Sequence, residues 1–558
     1  MISRGFALRA ALAVAVTFAV TTAIRWDAIG YNGWFNPDEA ELLAAGRRAA
    51  MQVWMPMETS SANTYLVLWP TSLGILDLMG VPMTLRTAHV LSAGIYAAII
   101  AMVWVATARR WGWIRTAVYI LPTAYWMLAR YSDFFQMGSE LPSVLLLVIG
   151  ALVAFKPGKP VSARRLAVVA ALASLAPWFK VQSGLLAVAL VISACGFAYL
   201  SRDSVWTRRE WTRRLLLLTL GGLGPTAVLL AVMAVSGTLN LFWDEPVEFL
   251  HAYLTHNVKD LGFGLGETSA PLAEKLRGLL AQVLNNALVF GCALLGLAGL
   301  WSGTQGSVGR TARLAVWLTP IVAALGTLLV LYPIYVHYLN FLFGGTAIAA
   351  IAAAGLVAPV EEIPGRGSLL WFRRWPIWAV LTTLILLLSA VEHERASRGV
   401  SPATHQNEAN LVALCPRGSS VFVWGWAAEL YAYYDWRPAS RFVTYGLLLA
   451  KTPNQDHYRA RFLQEMAADP PQCVVNAVGP TWFGDNTADL TVQNEIPEAR
   501  AWLERCYAPS NVALGTAGDP GAEVIDVWAR RPSCDVEGGA VGQARPRGQV
   551  AMRTPTDA

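Results

Sequence analysis

Long apolar runs recur along this chain, and nothing else constrains its fold so strongly. They cover 6–24, 88–107, 114–130, 140–155, 166–179, 184–200, 215–235, 285–301, 314–332, 339–357 and 376–391. Each approaches or reaches the length needed to cross a hydrocarbon core about 30 Å thick. A segment in lipid must satisfy its own backbone N–H and C=O groups, so such runs pack as helices. Charged residues make up 14% of the chain, against about 25% in soluble domains. The expectation is a polytopic α-helical membrane region of about eleven spans, extending over 1–395. Residues 63–80 are apolar too, but Pro70, Gly74 and Asp77 interrupt them and predict a re-entrant or juxtamembrane segment.

Lysine and arginine in the short loops set the orientation. One alternating set carries Arg109, Arg110 and Arg115, then Lys156, Lys159, Arg164 and Arg165, with Arg4 and Arg9 on the same side. The set continues through Arg202 to Arg214, Arg310 and Arg313, and Arg366 to Arg374. The opposite set is richer in acids, including Asp38, Glu39, Asp133, Asp244, Glu245 and Glu248. The basic side is read as cytoplasmic, with the N-terminus inside and everything beyond Glu392 outside the cell inner (plasma) membrane. The first run also has the layout of a secretory signal ending at Thr22-Ala23; a retained anchor is the reading taken, and cleavage leaves the first outer loop (25–87) outside either way. The net charge of +6 belongs mostly to the inner loops and gives no reason to expect a nucleic-acid partner.

From about residue 396 the composition turns globular, and 396–535 predicts a small extracytoplasmic α/β domain. Ser420 to Gly425, Cys473 to Val478 and Val524 to Ala529 have strand character, while His457 to Ala468 and Glu498 to Cys506 have helical spacing. Cys415, Cys473, Cys506 and Cys534 all fall in this tail and allow two disulfides, or four reduced buried thiols, with the pairing open. The Gly-, Arg- and Pro-rich end, 536–558, predicts disorder.

Polar residues gather at one level, the outer ends of the spans. Asn36-Pro37-Asp38-Glu39-Ala40-Glu41 opens an amphipathic run in the first outer loop, and Arg86 stands where that loop returns to the membrane. Arg130, Asp133 and Glu140 flank the second loop, Lys180 and Gln182 lie in the third, and Tyr335-Val336-His337-Tyr338 forms the fifth. Ionisable groups at a membrane are functional candidates because burying them is expensive. Carboxylates alternating with cations suit a phosphate-bearing ligand held beside an acid able to take a proton. Each residue also has a plainer reading. Asp38 follows Pro37 at a helix start, where an acid stabilises the dipole by roughly 0.3–1 kcal/mol. Asp133 suits an exposed loop acid, Lys180 could snorkel to the interface, and His337 between tyrosines could be an interfacial anchor. Glu245, Glu248 and His251 have a spacing that could place metal ligands on one helix face, but no partner motif accompanies them.

The Asp38-Glu39 pair after the first span resembles the GT-C superfamily of polytopic glycosyltransferases that use lipid-linked sugars. The nearer branches are the protein O-mannosyltransferases and the lipid A aminoarabinose transferases. The resemblance extends to Ala129 through Asp133, to Lys180 at the head of a span, and to Tyr335 through Leu339 before a small-residue span. In the tail it takes in Val423 through Tyr431 and Arg437 through Arg441.

That resemblance implies inverting transfer of a sugar from a polyprenyl phosphate to a lipid, glycan or protein hydroxyl. In this chain Asp38 would take the proton, with Glu39 as its alternate. Lys180, with Arg86 or Arg130, would hold the phosphate, and His337 and Tyr338 would bond phosphate or sugar. No cofactor or metal is expected, since those cations can neutralise the leaving phosphate. Competing classes are a lipid-linked-sugar transporter, which calls for charges deep in the spans and repeat symmetry, and a non-catalytic envelope scaffold. The sequence names neither sugar nor acceptor.

Overall fold

The computed structural model describes residues 4–30, 37–51, 67–113, 116–117, 128, 134, 136–156, 161–200, 206–248, 251, 272–285, 310–330, 336–356, 408–425, 427–449, 453–478, 491–514 and 523–532. The apolar runs within them are helices: α1 (Arg4–Ile24), α4 (Leu85–Trp111), α5 (Glu140–Ala154), α6 (Ala163–Leu175), α7 (Gly184–Leu200), α8 (Arg208–Val235), α10 (Arg310–Val330) and α11 (Leu339–Leu356). Between them lie α2 (Pro37–Met51), α3 (Leu68–Leu78) and α9 (Leu272–Asn285). Among the described residues five helices are long and apolar enough to cross a membrane, and Glu140–Ala154 and Leu314–Leu329 are shorter apolar helices. The expected spans 114–130, 285–301 and 376–391 fall almost wholly outside the described residues.

α5 is the centre of the bundle. Leu141, Val144, Leu147, Val148 and Ala151 are fully buried against α4, α6, α7 and α11. α8 lies outermost, packed mainly on α6; it starts on a capping box in which Thr207 and Glu210 satisfy each other's backbone N–H groups. α1 is also peripheral, with much of its surface exposed.

The segment 63–80 departs from expectation in an informative way. Pro70, Gly74 and Asp77 do not break it, because α3 runs through all three. Pro70 sits in the first turn, where the missing N–H costs nothing. Gly74 is a crossing point: a Cβ there would stand 2.8 Å from the Ala50 backbone nitrogen, and one on Gly46 would stand 2.6 Å from the Leu73 Cβ. The two glycines let α2 and α3 pack backbone to backbone. Gly74→Leu should therefore destabilise the protein by about 1–3 kcal/mol or more, read as a lowered thermal midpoint in detergent.

The tail builds a mixed five-stranded sheet from β1 (Ser420–Gly425), β2 (Arg437–Pro438), β3 (Cys473–Ala477), β4 (Tyr507–Leu514) and β5 (Glu523–Arg530), in the order β2-β1-β3-β5-β4. β1 is parallel to β2 and β3, while β5 is antiparallel to β3 and β4. Alternate residues of β1 serve opposite faces. Phe422 and Trp424 pack with α13 (Gln455–Ala468) and α14 (Pro497–Cys506), and Val421 and Val423 face the other side. Helix α12 (Glu408–Leu414) precedes β1, and Cys415 just after it is bonded to Cys473 of β3. Cys506 is disulfide-bonded as well.

On the Val421 face the tail core is completed by α2, since Ala40 and Ala44 are buried in the same cluster as Tyr431 and Trp436. Arg47 donates to the carbonyls of Trp436 and Met83, each at 3.1 Å, and pairs with Asp435 at 2.8 Å. Arg48 donates to the Pro438 carbonyl. Residues 37–51 thus belong physically to both the bundle and the tail.

A second junction lies at the π-helical turn Trp243–Val247 beyond α8. Arg441 reaches Glu245 at 3.5 Å and also pairs with Glu465. The Asn454 amide donates to Glu248, and the Tyr458 hydroxyl donates to the Asp244 carbonyl. The acids that could have been read as metal ligands are therefore turned toward the tail. Burial alone would raise the Glu465 carboxyl, but the Arg441 charge and hydrogen bonds from Arg441 and Ser440 hold it below the ordinary range. A group depressed in the folded state stabilises above its unfolded value, about 4.3, and that contribution disappears as pH falls through the folded value. Glu465→Gln should flatten the acid limb of the stability profile below about pH 4.3, as followed by thermal unfolding against pH.

Candidate active site at the start of the second helix

The N-terminal turn of α2 points its acids at the bundle. Asp38 is half-buried, whereas Glu39 and Glu41 are buried. One Glu39 oxygen accepts the Met137 backbone N–H at 2.8 Å, and the other lies 3.1 Å from His89 Nε2 on α4. A carboxylate engaged through both oxygens is better placed to orient its helix than to abstract a proton.

Beneath it, Lys180 Nζ lies 3.4 Å from Glu140 Oε1, with both side chains almost fully buried. Lys180 has extended backbone just ahead of the short 3-10 turn Val181–Ser183, and Glu140 opens α5. The Lys180 ammonium also stands 5.8 Å from the centre of the Tyr338 ring, and His337 packs against that ring at 4.5 Å. Gly138 keeps the space open: a Cβ there would lie 2.7 Å from Glu140 Oε2 and 3.5 Å from Asn340 Nδ2. Oε2 of Glu140 is buried with no hydrogen-bond partner among the described residues, so the pocket is built around one salt bridge and an unsatisfied acceptor.

Glu41 joins the two levels. Its carboxyl is raised well above the ordinary range by burial and then by Asp38, partly offset by the Thr444 hydroxyl and Lys180. Burial and the Asp38 charge thus both disfavour a second charge at this turn. Tyr445, from the tail, is pushed up to about 12 by burial and by the nearby Glu41. The tail therefore contributes Thr444 and Tyr445 to the wall of this site.

Arg25, fully buried after α1, braces the loop that holds Glu39. It donates to Ser92 Oγ at 2.8 Å and to the Phe134 carbonyl, and Ser92 donates to the Gln136 carbonyl at 2.8 Å. Its guanidinium lies 4.6 Å from the centre of the Tyr96 ring, and the Tyr96 hydroxyl donates to Asn340 Oδ1.

The structure thus gathers Asp38, Glu39, Lys180, Glu140, His337 and Tyr338 around one region, with Gln182 half-buried in the turn after Lys180. Arg86 departs from expectation, because it is exposed on the first turn of α4 while His89, three residues on, turns inward. Arg130 and Asp133 lie outside the described residues. His89, Arg25, Tyr96, Asn340 and Thr444 were not anticipated. His89 had a signal, since a histidine inside an expected span is costly unless it is paired.

No protein-family model matches the chain, and no curated protein matches it in sequence. Its fold is similar to that of ArnT from Cupriavidus metallidurans, solved bound to undecaprenyl phosphate, with a TM-score of 0.52 and 14% identity over 95% of this chain and 99% of that one.

Proposed function

We propose that this protein is an inverting glycosyltransferase that moves a sugar from a polyprenyl-phosphate carrier to an acceptor hydroxyl on the outer face of the cell's inner membrane. The observation that carries this reading is the buried Lys180–Glu140 pair beneath a helix whose first turn presents Asp38. The ArnT-like fold, in a protein solved with undecaprenyl phosphate, agrees with it.

The chemistry follows from the side chains. Lys180 would neutralise the donor phosphate, with Glu140 fixing its ammonium and the Tyr338 ring bounding it. The acceptor oxygen attacks the anomeric carbon as the bond from that carbon to the phosphate oxygen breaks. Polyprenyl phosphate departs, and the hydroxyl proton passes to Asp38, the most accessible acid of the turn. Glu39, anchored by His89 and Met137, keeps Asp38 in place. In this reading the tail, which brings Thr444 and Tyr445 close to Glu41, lies on the acceptor side, outside the membrane with the N-terminus inside. No metal is needed in this scheme, because fixed cations stabilise the leaving phosphate electrostatically. Any lipid, glycan or protein hydroxyl that reaches the outer face can serve as acceptor.

The test is to incubate the full-length protein in lipid with a panel of polyprenyl-phosphate sugars and candidate acceptors, and read the anomeric configuration of the product. Inverted product with release of polyprenyl phosphate is expected. Retained configuration would overturn the single-displacement scheme.

A further inference from the structure

At the end of the bundle opposite this site, a groove of about 630 Å³ opens between α1, α4, α11 and the residues just after α5. Its walls are apolar and built largely of small residues, among them Ala10, Ala98, Ala101 and Ala354, and Lys156 is the charged residue in its lining. α5 starts at Glu140 in the site and Lys156 follows its last turn, so the groove mouth lies roughly 20 Å away along the helix axis.

The chemistry of this mouth is that of a headgroup region. Lys156 is exposed and has no carboxylate partner among the described residues. The Phe6 and Trp113 rings meet in a tilted contact with centroids 5.5 Å apart, and Trp104 donates its indole N–H to the Trp113 carbonyl at 3.1 Å. Aromatic residues grouped this way mark the membrane–water interface. The groove volume lies within the range of ligand sites, about 300–1,000 Å³, and an apolar groove within a bilayer is filled by hydrocarbon.

We infer that this groove is a binding site for an anionic phospholipid, with one acyl chain between α1 and α4 and the phosphate at Lys156. The site is separate from the proposed donor site and does not depend on that reading. Lys156 decides against the far end of a polyprenyl chain as occupant, since a hydrocarbon terminus offers nothing to an ammonium and would desolvate it. Basic pockets between spans are a recognised setting for acidic headgroups. Because α1 buries little of its surface in the bundle, the lipid would act as packing between it and the bundle.

The experiment is native mass spectrometry of the full-length protein, purified in mild detergent and titrated with phosphatidylglycerol or phosphatidylcholine of matched chains. Wild type should retain phosphatidylglycerol preferentially. Lys156→Gln should cut that preference about fivefold, the equivalent of about 1 kcal/mol per basic residue near a surface. Ala98→Phe, which fills the groove, should abolish retention of both lipids. Equal retention of the two lipids by wild type would overturn the proposal. So would an Ala98→Phe variant that keeps phosphatidylglycerol but loses bound polyprenyl phosphate, because that would assign the groove to the isoprenoid chain.

Discussion

Asp38→Asn should lower sugar transfer by about 10²–10⁴-fold, the usual contribution of a general base, while donor binding and thermal stability stay close to wild type. Asp38 is only half-buried, so the nearly isosteric amide leaves no large buried defect. Its immediate neighbours cannot take over. Glu39 is held by the Met137 N–H and His89, and Glu41 is buried, its carboxyl raised by burial and by Asp38. The variant should bind a labelled polyprenyl-phosphate sugar and fail to turn it over. Full turnover would remove Asp38 from the mechanism and leave only its helix-start role, worth roughly 0.3–1 kcal/mol.

The second large effect concerns Lys180. Lys180→Ala removes one partner of a pair with side-chain exposures of 2% and 1%, leaving Glu140 charged in a closed site. Breaking a buried pair in this way costs about 3–5 kcal/mol, so the variant should fold poorly as well as lose the donor. A second variant separates the two losses. Replacing both members, Lys180→Met with Glu140→Leu, removes the charges together, and such replacements are often neutral for stability. That double variant should recover most of the thermal midpoint and still bind no donor. Recovery of donor binding along with stability would show that Lys180 is only a structural element.

The sequence made some of this legible and hid the rest for identifiable reasons. Asp38 and Lys180 stood out because ionisable groups at span ends are rare and local in their signature. Glu39 was visible, but its partner His89 lies 50 positions away and its brace Arg25 acts through Phe134, 109 positions away. Such contacts follow from helix packing, which periodicity does not encode. Arg86 and His89 show the same limit, because both are polar residues near one helix start and only the bundle decides which turns inward. Gly74 looked like a break in a span and is a helix crossing, since its role depends on Ala49 and Ala50 of α2.

In the tail, β1, β3 and β5 were legible as apolar runs. β4 was not: it is an edge strand containing Pro509, Ser510 and Asn511, residues that an edge tolerates and a central strand does not. The two-residue β2, at the other edge, is too short to carry any pattern. That α2 completes the tail core was also hidden, because Ala40 and Ala44 read equally well as the buried face of a helix packed on the bundle.

The most direct test is equilibrium binding of radiolabelled polyprenyl-phosphate sugars, across a chemically broad panel, to wild type and to the Lys180→Met, Glu140→Leu double variant in lipid nanodiscs. The account predicts saturable binding of at least one donor to wild type and none to the double variant, with both proteins folded. Absence of binding to wild type across the panel, or equal binding by both proteins, would contradict the claim that the pocket beneath α2 holds a lipid-linked sugar phosphate.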